Sequence, residues 1–291
     1  MSELKLGIIG GGQLGSMLAS AAIKLNLRTV IFCDDFDCPA QNFSDEFIFG
    51  NYNDEKKINE FINKVDVITF EFENIPYETL NKINQSKPVL PKPSVNRIIQ
   101  HRLAEKDFIN KLNIRTTRYV SIKKKSEIET LQDFLPGILK TTTLGYDGKG
   151  QYPIQTLNDL KNLNIDFSKE YILEKLVKLK KEISIIITRF SDKKYEIYEP
   201  IENIHKEQIL HCSKIPADIN EKILNQSKNW AKEIAEGLKY VGTLCVEFFI
   251  DRNENLYVNE VAPRVHNSGH LTINAYNVSQ FESHVRAVCG L

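Results

Sequence analysis

The chain has 291 residues, 42% hydrophobic and 26% charged, an ordinary globular composition, and at about 100–200 residues per domain it has room for two domains or three. Its 38 Lys and Arg cancel its 38 Asp and Glu, so no surplus positive charge exists to displace counterions from a nucleic acid, and that class of partner is set aside. No stretch approaches the ~20 apolar residues of a membrane helix, no basic-then-apolar leader opens the chain, and five cysteines without a C-x-x-C pair point to reduced thiols, so a cytoplasmic protein with no membrane partner is expected.

Leu4 to Ile9 reads as a buried strand and Gln13 to Leu25 as a helix with apolar positions at helical spacing. Between them Gly10, Gly12 and Gly15 reproduce G-x-G-x-x-G. Glycines let the backbone turn tightly, and free N–H groups at the following helix start attract an anion. A second strand, Arg28 to Cys33, ends at Asp34 and Asp35, about 20 residues beyond the loop, where a dinucleotide enzyme carries its ribose-binding acid. The loop could instead hold a different phosphate, or serve only close packing of helix on sheet. A third strand, Val65 to Asn74, ends in carboxylates, and strand–helix–strand order predicts a parallel α/β sheet. Three prolines between Lys87 and Val95 mark the exit from this first domain.

Residues 95–114 form an amphipathic helical region, and the stretch after Phe134 predicts a strand running into a second glycine loop. There Gly145, Gly148 and Gly150 supply flexibility and Lys140 and Lys149 supply charge; the G-K-[ST] ending of a Walker A loop is missing. Such a loop covers nucleotide phosphates in several enzymes, and a plain hairpin turn is the bland alternative. Strands follow at 170–177, 181–189 and 195–205, then a helix at 224–240 and strands at 242–251 and 255–264, an α+β pattern. Glu247 and Glu260 sit in otherwise apolar strands. Paired antiparallel, they would repel unless a divalent cation such as Mg²⁺ joined them to a triphosphate, or unless one formed a salt bridge with Arg264. Arg264, His266, Asn267, Ser268 and His270 crowd into the next loop, where His266 is either structural or functional.

The stretches GGGQLG, TFEFENIP, LPGILKTTTLGYDGKGQ, YEPIENIH, VNEVAPRVHNSGH and SQFESHVRAVCGL run in order from the first glycine loop to the last residue. On these the chain resembles the 5-(carboxyamino)imidazole ribonucleotide synthases, ATP-grasp enzymes of microbial purine synthesis. The resemblance implies an α/β N-terminal parallel-sheet (pre-ATP-grasp) domain at 1–98, then α+β ATP-grasp domains: a small lid domain at 99–172 and a large domain at 173–291. It implies that ATP and bicarbonate carboxylate aminoimidazole ribonucleotide through carboxyphosphate.

By the same resemblance Arg102 and Lys140 contact ATP phosphates, and Gly145, Tyr146, Asp147, Gly148, Lys149, Gly150 and Gln151 close over them. Glu174, Lys175, Leu176 and Val177 present the adenine-binding backbone, Glu182 meets the ribose, and His205 and Asn259 complete the nucleotide site. Glu247 and Glu260 hold Mg²⁺. Gly12, Gln13, Leu14, Glu73 and Asn74, with Tyr146, Asp147 and Lys149, form the ribotide site. Arg264 and His266 stand near bicarbonate, and with Lys140 they make the expected catalytic set. The first loop would then serve the ribotide's monophosphate, with no dinucleotide. Relatives continue beyond AVCGL into a small C-terminal β-rich domain that supports the substrate site and a homodimer, so that domain is expected to be missing. Lys149 replaces a frequent Arg and Val265 a frequent Pro. The rival readings are another ATP-grasp carboxylase or ligase, a non-catalytic nucleotide-binding remnant and, third, a dehydrogenase.

Overall fold

The computed structural model describes residues 4–143, 150–166, 168–207 and 209–291. Strands β1 (Lys5–Ile9), β2 (Arg28–Cys33), β3 (Glu46–Phe49) and β4 (Val67–Phe70) form a parallel sheet in the order β3–β2–β1–β4. Helices α1 (Gln13–Lys24), α2 (Glu55–Ile62) and α3 (Tyr77–Asn84) accompany it. Both faces are covered, which is why β1 and β2 read as unbroken apolar runs: Leu6, Ile8 and Ile31 pack with α1, while Ile9, Phe32 and Ile68 pack with Phe61 and Leu80. The predicted strand at 65–74 is shorter than expected; it ends at Phe70, and Glu71 to Asn74 leave the sheet as a loop.

The helical region at 95–114 is two helices, α4 (Pro93–Ile99) and α5 (Arg102–Lys111). They break at Gln100, whose side-chain amide donates to the carbonyl oxygens of Glu73 and Ile75, and at His101, which caps α5 in extended backbone. Ile99 and Ile109 join the core of the large sheet described below.

A small antiparallel sheet follows: β5 (Tyr119–Ile122), β6 (Gly137–Thr141), β7 (Gln151–Ile154) and β8 (Tyr171–Lys175), in the order β5–β8–β6–β7, with α6 (Leu157–Asn162) beside it. A border after residue 172 would cut β8, which pairs with β5 and β6 through Lys175, so the sheet carries this unit on to that residue.

The large sheet holds β9 (Leu179–Arg189), β10 (Tyr195–Ile197), β11 (Ile201–Lys206), β12 (Ile209–Lys214), β13 (Gly242–Asp251) and β14 (Leu256–Ala262). Its order is β12–β11–β9–β13–β14, with β10 also against β9. Helix α7 (Glu221–Gly237) starts on Asn220, whose side chain accepts the Ile223 N–H at 2.9 Å, and lays Ile223, Ala231 and Ile234 on this sheet. After a one-turn α8 (Thr272–Ala275), helix α9 (Gln280–Cys289) wedges between the units, touching α1 and β4 on one side and β9 and β13 on the other. Among the described residues no helix is long and apolar enough to cross a membrane.

Candidate active site

The small and large sheets, with Gln13, Glu73 and Asn74 from the N-terminal unit, line one cavity of about 1010 Å³. On its floor, antiparallel pairing of β13 with β14 sets Glu247 opposite Glu260, and both line the cavity with Asn259. Neither acid is left bare. Glu247 Oε1 lies 2.9 Å from His266 Nε2, and Glu260 Oε2 lies 3.4 Å from an Arg102 nitrogen. Burial pushes Glu247 up, but His266, His205 and Arg264 together hold it below the ordinary carboxylate range. Burial pulls His266 down, and the Cys245 sulfur and Glu247 outweigh it, leaving the imidazole well above its usual range. Its Nε2 meets Glu247, while its Nδ1 accepts the Ser268 N–H at 3.3 Å and lies 2.9 Å from Ser268 Oγ. The Gln280 amide brackets its backbone from both sides, accepting the His266 N–H at 2.9 Å and donating to its carbonyl at 2.7 Å.

Arg264 does not pair with either strand acid, as one sequence reading allowed. Its guanidinium forks onto Glu73, Nε to Oε2 and a terminal nitrogen to Oε1 at 3.3 Å. Asn96 of α4 and Gln100 just after it hold the Glu73 carbonyl from behind. Burial raises the Glu73 carboxyl, and Arg264 more than reverses this.

On the opposite wall Lys140 of β6 reaches Glu174 of β8 at 3.1 Å. Both are buried, yet both border the cavity. Burial would lift Glu174, but Lys140 and Lys106 draw it down to about 2. Beneath them Glu105 is pushed up to about 8 by burial and by Glu260, while it accepts the Val261 N–H at 2.6 Å. Glu182 and His205, cross-sheet neighbours on β9 and β11, meet at 2.8 Å, and that contact raises the His205 imidazole. Lys175 at the end of β8, with Leu176 and Val177 after it, lines the cavity, as does Gln151 at the start of β7.

The first glycine loop differs from the open anion cradle expected of it. Its donors at Gly12 and Gly15 are taken by the buried carboxylate of Glu71, at 2.7 Å for Gly15. A Cβ on Gly10 or Gly12 would lie 2.5 and 2.8 Å from Glu71 atoms, so these glycines make room for that side chain. Of the loop's ribotide candidates Gln13 lines the cavity with Glu73 and Asn74; Gly12 does not, and Leu14 packs against the N-terminal core. Gly150 turns with φ +72° beside Thr141, away from the cavity lining. Gly145, Tyr146, Asp147, Gly148 and Lys149 lie outside the described residues.

Sequence reasoning passed over Glu71, Glu105 and Lys106. Glu105 and Lys106 stand three and four residues after Arg102 on one helix, a spacing that puts all three on one face.

Two metal sets are conceivable. Ligand atoms of Cys245, Glu247 and His266 come within 4.8 Å of one another, but both ring nitrogens of His266 are engaged. The carboxylates of Glu247 and Glu260 with the Asn259 amide make an all-oxygen set, which suits a hard cation such as Mg²⁺.

Known proteins give this geometry a context. A ribonucleotide synthetase preATP-grasp domain matches residues 3–100 and an ATP-grasp domain residues 107–281. The chain is 38% identical over 288 residues to the N5-carboxyaminoimidazole ribonucleotide synthase of Staphylococcus aureus (strain COL), covering 98% of this chain and 76% of that protein. It is 39% identical over 291 residues to the synthase of the same name from Brucella melitensis, covering 98% and 80%. The S. aureus N5-carboxyaminoimidazole synthetase solved with ADP superposes with a TM-score of 0.93 at 38% identity, over 99% of this chain and 77% of that one. The Aspergillus clavatus synthase solved with ADP and 5-aminoimidazole ribonucleotide superposes with a TM-score of 0.91 at 25% identity, over 99% and 77%.

Proposed function

The chain belongs to the N5-carboxyaminoimidazole ribonucleotide synthase family of ATP-grasp enzymes, and from that premise we infer the work of each side chain around the cavity. The reaction is an ATP-dependent ligation in purine biosynthesis. Bicarbonate oxygen takes the γ-phosphoryl group, breaking its bond to ADP and giving carboxyphosphate. The exocyclic amine of 5-aminoimidazole ribonucleotide then attacks the carboxyl carbon, loses a proton and expels phosphate, leaving N5-carboxyaminoimidazole ribonucleotide.

Phosphoryl transfer asks a protein mainly for alignment and charge neutralisation. We assign Lys140 and Arg102 to the ATP phosphates, Glu182 and His205 to the ribose side, and the backbone of Glu174 to Val177 to adenine. Gln13, Glu73 and Asn74 take the ribotide. Arg264 and His266, drawn toward their charged forms by neighbours that include Glu73 and Glu247, are placed to hold bicarbonate and the negative charge that grows on it. Glu247, Glu260 and Asn259 would hold Mg²⁺, which neutralises charge between phosphates when bound. A homodimer is the assembly we infer from the family likeness; sedimentation velocity tests it.

One observation carries this reading: Glu247 faces Glu260 across a rung in the same cavity that holds Lys140, Asn259 and the Arg264–Glu73 fork. The test is ADP release with ribotide and bicarbonate each omitted in turn. Release that needs bicarbonate and yields carboxylated ribotide is expected. ATP binding without bicarbonate-dependent release would favour a non-catalytic remnant, and turnover with a different acceptor would favour a sister ligase.

A further inference from the structure

Helix α5 turns three side chains onto one stretch of β14. Arg102 reaches the Glu260 carboxylate at 3.4 Å, Glu105 accepts the Val261 N–H at 2.6 Å, and Lys106 Nζ donates to the Asn259 carbonyl at 3.4 Å. Lys106 is the buried member with a second task. It is 1% exposed, donates to Thr117 Oγ1 at 3.1 Å, and lies 3.5 Å from Glu174 Oε1, an oxygen that accepts no hydrogen bond among the described residues. The Thr117 hydroxyl donates to Glu174 Oε2 at 3.0 Å, the same oxygen that takes Lys140 Nζ at 3.1 Å. One buried carboxylate is therefore shared by two lysines. Lys140 and Glu174 line the cavity, and Lys106 does not.

We propose that Lys106 is a positioning residue for the nucleotide: it is the standing counter-ion of Glu174, and its presence lets Lys140 leave Glu174 for the triphosphate. The proposal rests on the assignment of Lys140 to the ATP phosphates. A buried carboxylate stripped of its only cation is strongly unfavourable. With Lys140 as sole partner, every encounter with ATP would have to break that pair, so the phosphates would compete with Glu174 for one ammonium group. Lys106 removes the competition. Anchored on Thr117 and the Asn259 carbonyl, it stays behind when Lys140 moves, and it keeps the Glu174 side of the wall aligned with the strand that carries Glu260.

The test is steady-state ADP release by the full chain and four variants. Lys106→Met should raise KM for ATP by about tenfold or more while KM for the ribotide stays within about twofold. Removing the carboxylate as well should relieve the defect: Lys106→Met/Glu174→Gln should match Glu174→Gln alone to within about threefold. An unchanged KM for ATP in Lys106→Met overturns the proposal. So does a double variant that falls as far below Glu174→Gln as Lys106→Met falls below the parent, because that is the additive pattern of a structural role. If Lys106→Met does not fold, the comparison between the double variant and Glu174→Gln decides alone. Lys140→Met separates the two levels. Near-normal ADP release there would overturn the assignment of Lys140 to the phosphates and this proposal with it. Lost release there beside a normal Lys106→Met would overturn only the part given to Lys106.

Discussion

The carboxylate of Glu71 accepts the backbone N–H of Gly15 at 2.7 Å and, through its other oxygen, that of Gly12. A loop with dinucleotide-type spacing thus holds an anion that belongs to the chain itself. The buried Glu71 occupies the donors a pyrophosphate would need, and its charge would repel one. Titration with NAD or NADP should therefore show no saturable binding. Glu71→Ala should destabilise the fold by roughly 2–4 kcal/mol in chemical denaturation, since one buried and one part-buried N–H group lose their acceptor at about 1–3 kcal/mol each and the loop relaxes in part. Glu71→Gln, with one oxygen retained, should lose less. Clear dinucleotide binding by the parent chain would remove this account of the loop.

Glu260→Gln tests the floor of the cavity. The substitution keeps size and hydrogen bonding but removes one of two carboxylates on the rung shared with Glu247. Bicarbonate-dependent ADP release should fall by about 10²-fold or more. The circular dichroism spectrum and the thermal midpoint should stay close to the parent, because Glu260 is part-exposed and its Arg102 partner is 3.4 Å away. Near-normal turnover would take Glu260 out of the reaction.

Much of this architecture is legible in the amino-acid sequence where periodicity and burial agree. β2 and β13 keep the bounds that their apolar runs mark, Arg28 to Cys33 and Gly242 to Asp251. Four strands went unread, β3, β5, β7 and β12, and each lies at a sheet edge. β3 is four residues long at a sheet edge, with Phe49 exposed, so its pattern carries no burial signal. β12 is also an edge strand, without a wholly buried face. The break between α4 and α5 depends on Gln100 reaching the carbonyls of Glu73 and Ile75, a contact 25 residues or more away that no local pattern encodes. Chemistry followed the same division. Glu247 and Glu260 stand out as acids in apolar strands, whereas Glu71 looked like one more carboxylate at a strand end. Only the parallel register of β1 with β4, Ile9 beside Phe70, carries Glu71 under the glycine loop.

Arg264→Lys keeps the charge and removes the fork onto Glu73. Lys is a point charge and cannot reproduce two parallel N–H···O bonds. The part-buried Glu73 carboxylate would keep one partner and turn its second oxygen toward the ribotide space. A charge-assisted hydrogen bond contributes about 1.5–3 kcal/mol, so kcat/KM for the ribotide should drop by roughly 10- to 150-fold. KM for ATP should hardly change, as Arg264 pairs with Glu73 while Lys140 pairs with Glu174. An equal loss in both substrates would indicate a collapsed cavity and not a lost fork.

His284 ties the N-terminal sheet to the large one and should govern part of the acid response. Its Nδ1 accepts the Thr243 N–H of β13 at 3.0 Å, which leaves Nε2–H to donate to Thr69 Oγ1 of β4 at 2.8 Å. Protonating Nδ1 would break the first contact inside a fully buried site, and burial lowers the imidazole to about 4 from an ordinary 6.5. Between those values the unfolded chain binds the proton and the folded chain does not. Stability from this group is thus fully present above pH 6.5, declines as the pH falls, and is gone below pH 4. The span corresponds to about 3 kcal/mol at most. In His284→Gln, denaturation midpoints should be lower than the parent's at pH 7.5 through loss of the paired contacts, and the slope between pH 6.5 and 4 should be shallower. A parent and variant that lose stability in parallel over that window would show that other groups, the carboxylates first, carry the acid response.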